Sequence, residues 1–92
     1  MTVRWTPTSL RDLHALHSYI SEDNATAALD VVEALLKGIA ALARHPQMGR
    51  TGRVPGTREL VMAPYVIAYR SRKSVIEILG IIHGSRRWPD AF

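Results

Sequence analysis

Cysteine is absent from the 92 residues, so neither a disulfide framework nor a thiolate metal site is available to this chain. Lysine occurs only twice, as Lys37 and Lys73. The longest apolar run, 75–82, contains a glutamate and is far too short to span a bilayer. The first residues also lack the apolar core of a secretory signal. We therefore expect a cytoplasmic protein without membrane contact, metal or cofactor.

Arginine supplies most of the positive charge, and it is concentrated in one half of the chain. The formal net charge is +4, and residues 1–48 contribute −1 whereas residues 49–92 contribute +5. A 47% hydrophobic content is typical of a globular protein and too high for a disordered one. We predict one domain over residues 1–92, whose basic half favours an acidic or polyanionic partner.

The first half predicts a short strand followed by two helices. Residues 2–5 suit a strand, and Thr6-Pro7 supplies a cap and a proline at the first helical position, which predicts a helix over 7–21. Asn24 is a good cap for a second helix over 25–43, which His45-Pro46 ends. The short connection between the helices predicts an antiparallel helical hairpin.

The second half reads as a loop and three strands. Five glycines and prolines within 46–56 predict that this segment has no regular structure. Strands are predicted over 57–62, 66–70 and 75–83, with the polar residues 71–74 connecting the last two. The order β-α-α-β-β-β predicts an α+β fold in which the helical hairpin packs on a small, mostly antiparallel sheet of four strands.

The last strand also predicts which side chains share a face. Strict alternation places a set of four small or apolar residues on one face: Ile76, Ile78, Gly80 and Ile82. Because Gly80 would let a helix approach closely, we expect this face to meet the helices. Glu77 and His83 would then lie together on the opposite, more open face.

Several short motifs, taken in order, carry a resemblance to a known family. They are Trp5, Tyr19-Ile20, His45-Pro46-x-x-Gly49-Arg50, residues 52–60, Pro64-Tyr65, Ala68-Tyr69-Arg70, Ile78-Leu79 and His83-Gly84-x-Arg86-x-Trp88-Pro89. Over nearly its whole length the chain resembles the RelE/ParE superfamily of type II toxin–antitoxin toxins. This resemblance implies a toxin held inactive by a cognate antitoxin. RelE-like members cleave mRNA on the ribosome, whereas ParE-like members poison DNA gyrase.

In the ribonuclease branch the chain would need an acid, a base and cations for the phosphorane charge. The resemblance and this chemistry suggest four catalytic residues: His83, Arg70, Arg58 and Glu59. The alternative for His83 is a structural residue that closes the end of its strand. Two departures weaken the ribonuclease interpretation, because the RelE lysine pair is missing and Gly84-Ser85 replaces an aromatic residue.

We therefore predict a ParE-like gyrase poison, with the RelE-like mRNA endoribonuclease as the alternative and a small nucleic-acid-binding module as a third class. The residues expected to contact the target or nucleic acid are Arg50, Arg53, Arg86, Arg87 and Trp88. Their alternative role is structural, with the tryptophan packed on the sheet and the arginines in solvent. Operator DNA is expected to be bound only through the antitoxin.

The antitoxin is expected to present an acidic, partly disordered tail that folds on binding, across the helical hairpin or along a sheet edge. The apolar helix residues proposed to receive it are Leu13, Ile20, Val32, Leu35 and Ile39. The alternative for this stripe is the protein core. His14 and His17 have metal-ligand spacing but no evident third ligand, so we expect them on the helix surface.

Overall fold

The computed structural model describes all 92 residues and contains two helices and a five-stranded sheet. The elements are β1 Thr2–Trp5, α1 Pro7–Ser21, α2 Ala25–Arg44, β2 Arg50–Thr51, β3 Arg58–Met62, β4 Tyr65–Arg72 and β5 Val75–His83. The strands are ordered β1-β5-β4-β3-β2, with β1 parallel to β5 and the other pairs antiparallel. The predicted α+β fold is confirmed, but the sheet has five strands and not four.

Both helices begin where their capping residues predict. The Thr6 side chain accepts a hydrogen bond from the Ser9 N–H at 3.2 Å, and Pro7 opens α1. Asn24 Oδ1 accepts from the Ala27 N–H at 3.0 Å at the start of α2. These bonds satisfy donors that have no partner inside a helix. Neither helix is long and apolar enough to cross a membrane.

The prediction that 46–56 lacks regular structure is wrong at β2. Arg50 and Thr51 pair with Glu59 and Arg58 of β3. This strand is only two residues long, and it exists because β3 offers a free edge and not because its own residues favour extended structure. β2 therefore places Arg50 beside Glu59 across the strand pair.

The core lies between the helices and one face of the sheet. Its fully or nearly fully buried members come from α1, α2, β4 and β5: Leu16, Leu35, Ile39, Leu42, Ile67, Tyr69, Ile76, Ile78 and Ile81. Each large apolar side chain that is removed from water in this way contributes about 1.5–3 kcal/mol to folding. The opposite face of the sheet is left without helices and carries charged residues.

A β-bulge in β5 reverses the predicted faces of its second half. Tyr69 lies opposite Ile78 but Ala68 lies opposite Gly80, so Leu79 is one extra residue in β5. Beyond this point Ile81 joins the core opposite Ile67. The expectation that Gly80 and Ile82 share the helix-facing side with Ile76 and Ile78 is therefore wrong. His83 follows Ile81 to the α1 side, whereas Glu77, before the bulge, stays on the open face.

The start of α1 protects the edge of β5 where β1 ends. The Thr6 hydroxyl donates to the Ile78 carbonyl at 2.8 Å, and the Asp12 carboxylate accepts from the Ile81 N–H at 3.0 Å. Backbone groups at an unpaired, partly buried edge need such partners. The polar side chains of this helix thus continue the hydrogen bonding that β1 begins.

Candidate functional site

The open face of the sheet contains two carboxylates that each bind two arginines. At one end Glu59 lies only 2% exposed and accepts from Arg50 Nε and Nη2 at 3.1 and 2.9 Å. Arg53 donates to it from its backbone N–H at 2.8 Å, from Nε at 3.1 Å and from Nη2 at 3.2 Å. We call Arg50, Arg53 and Glu59 the loop cluster. It fastens the loop after β2 to β3.

Opposing effects set the pKa of Glu59. Burial raises this pKa, but hydrogen bonds from the Arg53 side chain and backbone and from Arg50 outweigh burial and lower it from 4.5 to about 2. Glu59 is therefore ionised at neutral pH, with both oxygens already occupied by donors. A carboxylate in this state is a weak proton acceptor and is poorly suited to act as a general base.

The C-terminal residues extend the loop cluster. The Arg53 guanidinium carbon lies 3.8 Å from the centroid of the Trp88 ring, which is a cation–π contact. Trp88 Nε1 is buried and has no hydrogen-bond partner. Arg86 and Arg87 are exposed and make no ion pair. Five residues were predicted to contact the target. Arg50, Arg53 and Trp88 lie in or against the loop cluster, whereas the other two, Arg86 and Arg87, lie in solvent.

The second carboxylate lies at the β4–β5 hairpin end of the same face. Glu77 Oε1 accepts from Arg70 Nε and Nη2 at 2.9 and 2.6 Å, and its other oxygen pairs with Arg4. Hydrogen bonds from Arg70 and then Arg4 lower the pKa of Glu77. Arg72 and Lys73 are exposed beside this group. We call Arg4, Arg70, Arg72, Lys73 and Glu77 the hairpin patch.

Sequence reasoning missed three members of the hairpin patch: Arg4, Arg72 and Lys73. One signal was available, because Arg70 and Arg72 are two residues apart in a strand and so share a face. Arg4 had no such signal. It reaches the patch because β1 pairs parallel with β5 in a register that sets it opposite Glu77.

His83 occupies a different environment on the α1 side. Its Nδ1 accepts from the Ser85 N–H at 3.1 Å and lies 2.7 Å from Ser85 Oγ. Its ring meets Tyr65 edge to face, with centroids 5.5 Å apart and planes at 84°. The ring also borders a concavity of about 270 Å³, which α1 and Arg86 help to line. These contacts match the structural alternative for His83.

The four residues suggested for RNA cleavage do not converge on one point. Arg70 lies opposite Glu77, six residues along β5 from His83, which corresponds to about 20 Å. Arg58 lies opposite Tyr69, a core residue, so it projects from the helix side, and its Nη1 donates to the Gly49 carbonyl at 2.7 Å. Glu59 is held by the loop cluster. These four residues therefore do not assemble an acid, a base and a phosphate-binding arginine in one place.

The apolar stripe proposed for the antitoxin lies mainly inside the protein. Leu35 and Ile39 are 2% and 3% exposed in the core, and Leu13, Ile20 and Val32 pack against it half-buried. Of the five, Leu35 lines a surface groove. This groove, of about 240 Å³, lies between α2 and the β3–β4 turn, and its lining is almost entirely apolar: Val31, Ala34, Leu35, Met62, Ala63, Pro64 and Tyr65.

Other apolar side chains of the two helices face solvent away from this groove. Leu29 is 56% exposed and Leu36 is 43% exposed, and their spacing of seven residues places them on one side of α2. Tyr19 is 72% exposed near the end of α1. On α2, the helical spacing that predicted the antitoxin-binding stripe selected residues of the buried face, such as Leu35 and Ile39. The exposed apolar residues Leu29 and Leu36 were not part of that stripe.

The fold is shared with solved toxin–antitoxin proteins. A structure described as the chromosomal ParDE toxin–antitoxin system from P. aeruginosa matches with a TM-score of 0.79 and 27% identity, covering 90% of this chain and 95% of that one. The toxin–antitoxin complex RelBE2 from Mycobacterium tuberculosis matches with a TM-score of 0.66 and 28% identity, covering 89% and 95%. The architecture is therefore that of the ParE and RelE toxins.

Sequence comparison narrows this class to one family. The family described as "ParE toxin of type II toxin-antitoxin system, parDE" matches residues 3–88. A protein named "Putative toxin Y4kP" from Sinorhizobium fredii is 44% identical over 89 residues, which cover 95% of this chain and 92% of that protein. The chain belongs to the ParE toxin family and is the toxin of a type II toxin–antitoxin system.

Proposed function

We propose that this toxin poisons DNA gyrase by binding to it, without chemistry of its own. The observation that supports this proposal most strongly is the dispersal of the groups that RNA cleavage would require. His83 is bonded to Ser85 on the α1 side, whereas Arg70 is paired with Glu77 on the open face. Glu59, the remaining candidate base, has a pKa of about 2 and is held by two arginines.

The surfaces that remain available are suited to contact with a macromolecule. The hairpin patch lies on the open face, and Arg86 and Arg87 are exposed in the segment that follows β5. Charged surfaces of one sign accelerate association with an oppositely charged partner and orient it. In the proposed mechanism these arginines contact the complex of gyrase with cleaved DNA and stabilise it.

The experiment is a cleavage assay with purified gyrase, plasmid DNA and ATP. The toxin should convert supercoiled plasmid to linear DNA when the reaction is stopped with detergent, and a parallel translation extract should keep its mRNA intact. His83→Ala should leave plasmid cleavage unchanged. Intact plasmid together with cut mRNA would overturn the proposal.

One observation favours the ribonuclease as a second candidate. His83 and Arg86 line the same concavity, so an imidazole and a guanidinium face one space of about 270 Å³. An imidazole can transfer a proton, and an arginine can hold a phosphate. If this site cleaves mRNA, both His83→Ala and Arg86→Gln should abolish cutting in the translation extract. Cutting that survives both substitutions would exclude this site.

We further propose that the cognate antitoxin neutralises the toxin through the exposed apolar side of α2. The support is the exposure of Leu29 and Leu36, 56% and 43%, on one side of this helix. An amphipathic segment laid there would bury this surface as it folds. Leu29→Glu combined with Leu36→Glu should abolish complex formation in gel filtration while toxicity persists. Leu10→Glu, an exposed position on α1, is the matched control.

A further inference from the structure

The hairpin patch carries an excess of positive charge that the fold does not use. Four cations surround a single carboxylate, and that carboxylate already binds two of them. The side chains of Arg72 and Lys73 are exposed and make no ion pair or hydrogen bond. Together with Arg4, Val75 and Glu77 they border a shallow depression of about 410 Å³. The surface is therefore both strongly basic and concave.

Glu77 holds two of the cations in fixed positions. It binds Arg70 through Nε and Nη2, and it pairs with Nη2 of Arg4, whose side chain is still 70% exposed. A guanidinium has five N–H groups, so each arginine retains donors for a second acceptor. Because their side chains are already ordered, these arginines lose less conformational entropy when they bind an anion.

The composition of the patch identifies the class of anion. Among the residues that border the depression, Val75 is the only apolar one and none is aromatic. Protein partners are usually anchored by Trp, Tyr or Arg side chains in well-packed, desolvated pockets, unlike this shallow and exposed depression, and single strands by aromatic rings on which bases stack. A mainly cationic surface without aromatic residues suits the backbone of a duplex, which presents repeated phosphates and keeps its bases inside.

We propose that the hairpin patch binds the phosphate backbone of duplex DNA, without sequence preference. The contact is made by the toxin itself and does not pass through the antitoxin. It also does not require gyrase to be the target, because it concerns the isolated chain. If gyrase is the target, the patch would lie against the DNA that the enzyme holds.

The test is fluorescence anisotropy of the purified toxin with a labelled duplex of arbitrary sequence, repeated over a series of salt concentrations. Arg72→Gln combined with Lys73→Gln should weaken binding by about tenfold and reduce the slope of log K against log salt by about two. The matched control is Arg11→Gln with Arg44→Gln, which removes the same charge from exposed helix positions. The control should bind within about twofold of the wild type.

Several outcomes would overturn the proposal. Absence of duplex binding by the wild type would do so. An equal loss of duplex affinity in the two double variants would also do so, because it would show that only the net charge of the protein matters. A single-stranded RNA or a poly-glutamate peptide that binds more tightly than the duplex would assign the patch to that ligand. Circular dichroism on each variant establishes that the compared proteins are folded.

Discussion

The two ends of the open face use the same chemical unit for different purposes. At each end one glutamate bridges two arginines, yet Glu59 is 2% exposed and Glu77 12%. Glu59 also accepts a backbone N–H from Arg53, whereas Glu77 binds side chains only. The loop cluster is thus part of the folded framework, and the hairpin patch remains a surface. Burial and one backbone bond decide which role an ion-pair cluster takes.

The strongest test of this difference is to neutralise each glutamate in turn. Glu59→Gln should reduce the free energy of unfolding by about 3 kcal/mol, because it removes charged hydrogen bonds and leaves donors unsatisfied around a buried site. Glu77→Gln should cost less than about 1 kcal/mol, since Glu77 is itself more exposed than Glu59 and no backbone donor depends on it. Urea denaturation measures both values. Equal losses would show that the two clusters have the same structural role.

Low pH should destabilise the fold mainly by protonating Glu59 of the loop cluster. Because folding lowers the pKa of Glu59 from 4.5 to about 2, its ionised form stabilises the native state above pH 4.5. This contribution should be lost as the pH falls from about 5 towards 2, and the loss should reach about 3 kcal/mol. Thermal melts across this range should show a shallower dependence for Glu59→Gln than for Glu77→Gln. Parallel profiles would contradict the assignment.

The loop is also tied to the core by Tyr69, which is fully buried. Its hydroxyl donates to the Pro46 carbonyl at 2.8 Å and accepts from the Gly49 N–H at 2.9 Å. Tyr69→Phe should cost about 1.5 kcal/mol, because both backbone groups lose their partner. Tyr65→Phe is the control, since the Tyr65 hydroxyl has no hydrogen bond and its loss should change stability by less than about 0.5 kcal/mol.

The hairpin end should tolerate change and even gain stability. Lys73 and Ser74 have φ angles of 47° and 66°, which glycine adopts more easily than residues with a side chain. Ser74→Gly should raise the free energy of unfolding by about 0.5 kcal/mol without affecting duplex binding. Ser71→Gly, within β4, should instead lower it by a similar amount. A loss of stability in Ser74→Gly would show that the serine side chain supports the turn.

Elements with strong local signals could be predicted from the sequence. The caps Thr6 and Asn24 marked both helix starts, and the apolar run 75–83 marked β5 with the bounds observed. In these segments the residues that determine the structure lie next to one another in the chain. The same holds for the order of elements, which established the fold class.

Features that arise from pairing could not be predicted in this way. β2 forms only because β3 lies beside it, and the bulge at Leu79 is a property of the β4–β5 register. An alternation rule has no means of detecting one inserted residue, so His83 was placed on the wrong face. The partners of Glu59 come from a separate strand and loop, and its role as a fastening residue became visible only in three dimensions.

The parallel pairing of β1 with β5 has a consequence for how the toxin is made. Thr2 lies opposite Val75, so β1 cannot join the sheet until β5 has been synthesised. At typical rates of about 5–20 residues per second, synthesis of the chain takes roughly 5 to 20 s. During that time β5, the strand that joins β1 to the rest of the sheet, is missing. A nascent or prematurely terminated chain that lacks β5 therefore cannot join β1 to the rest of the sheet.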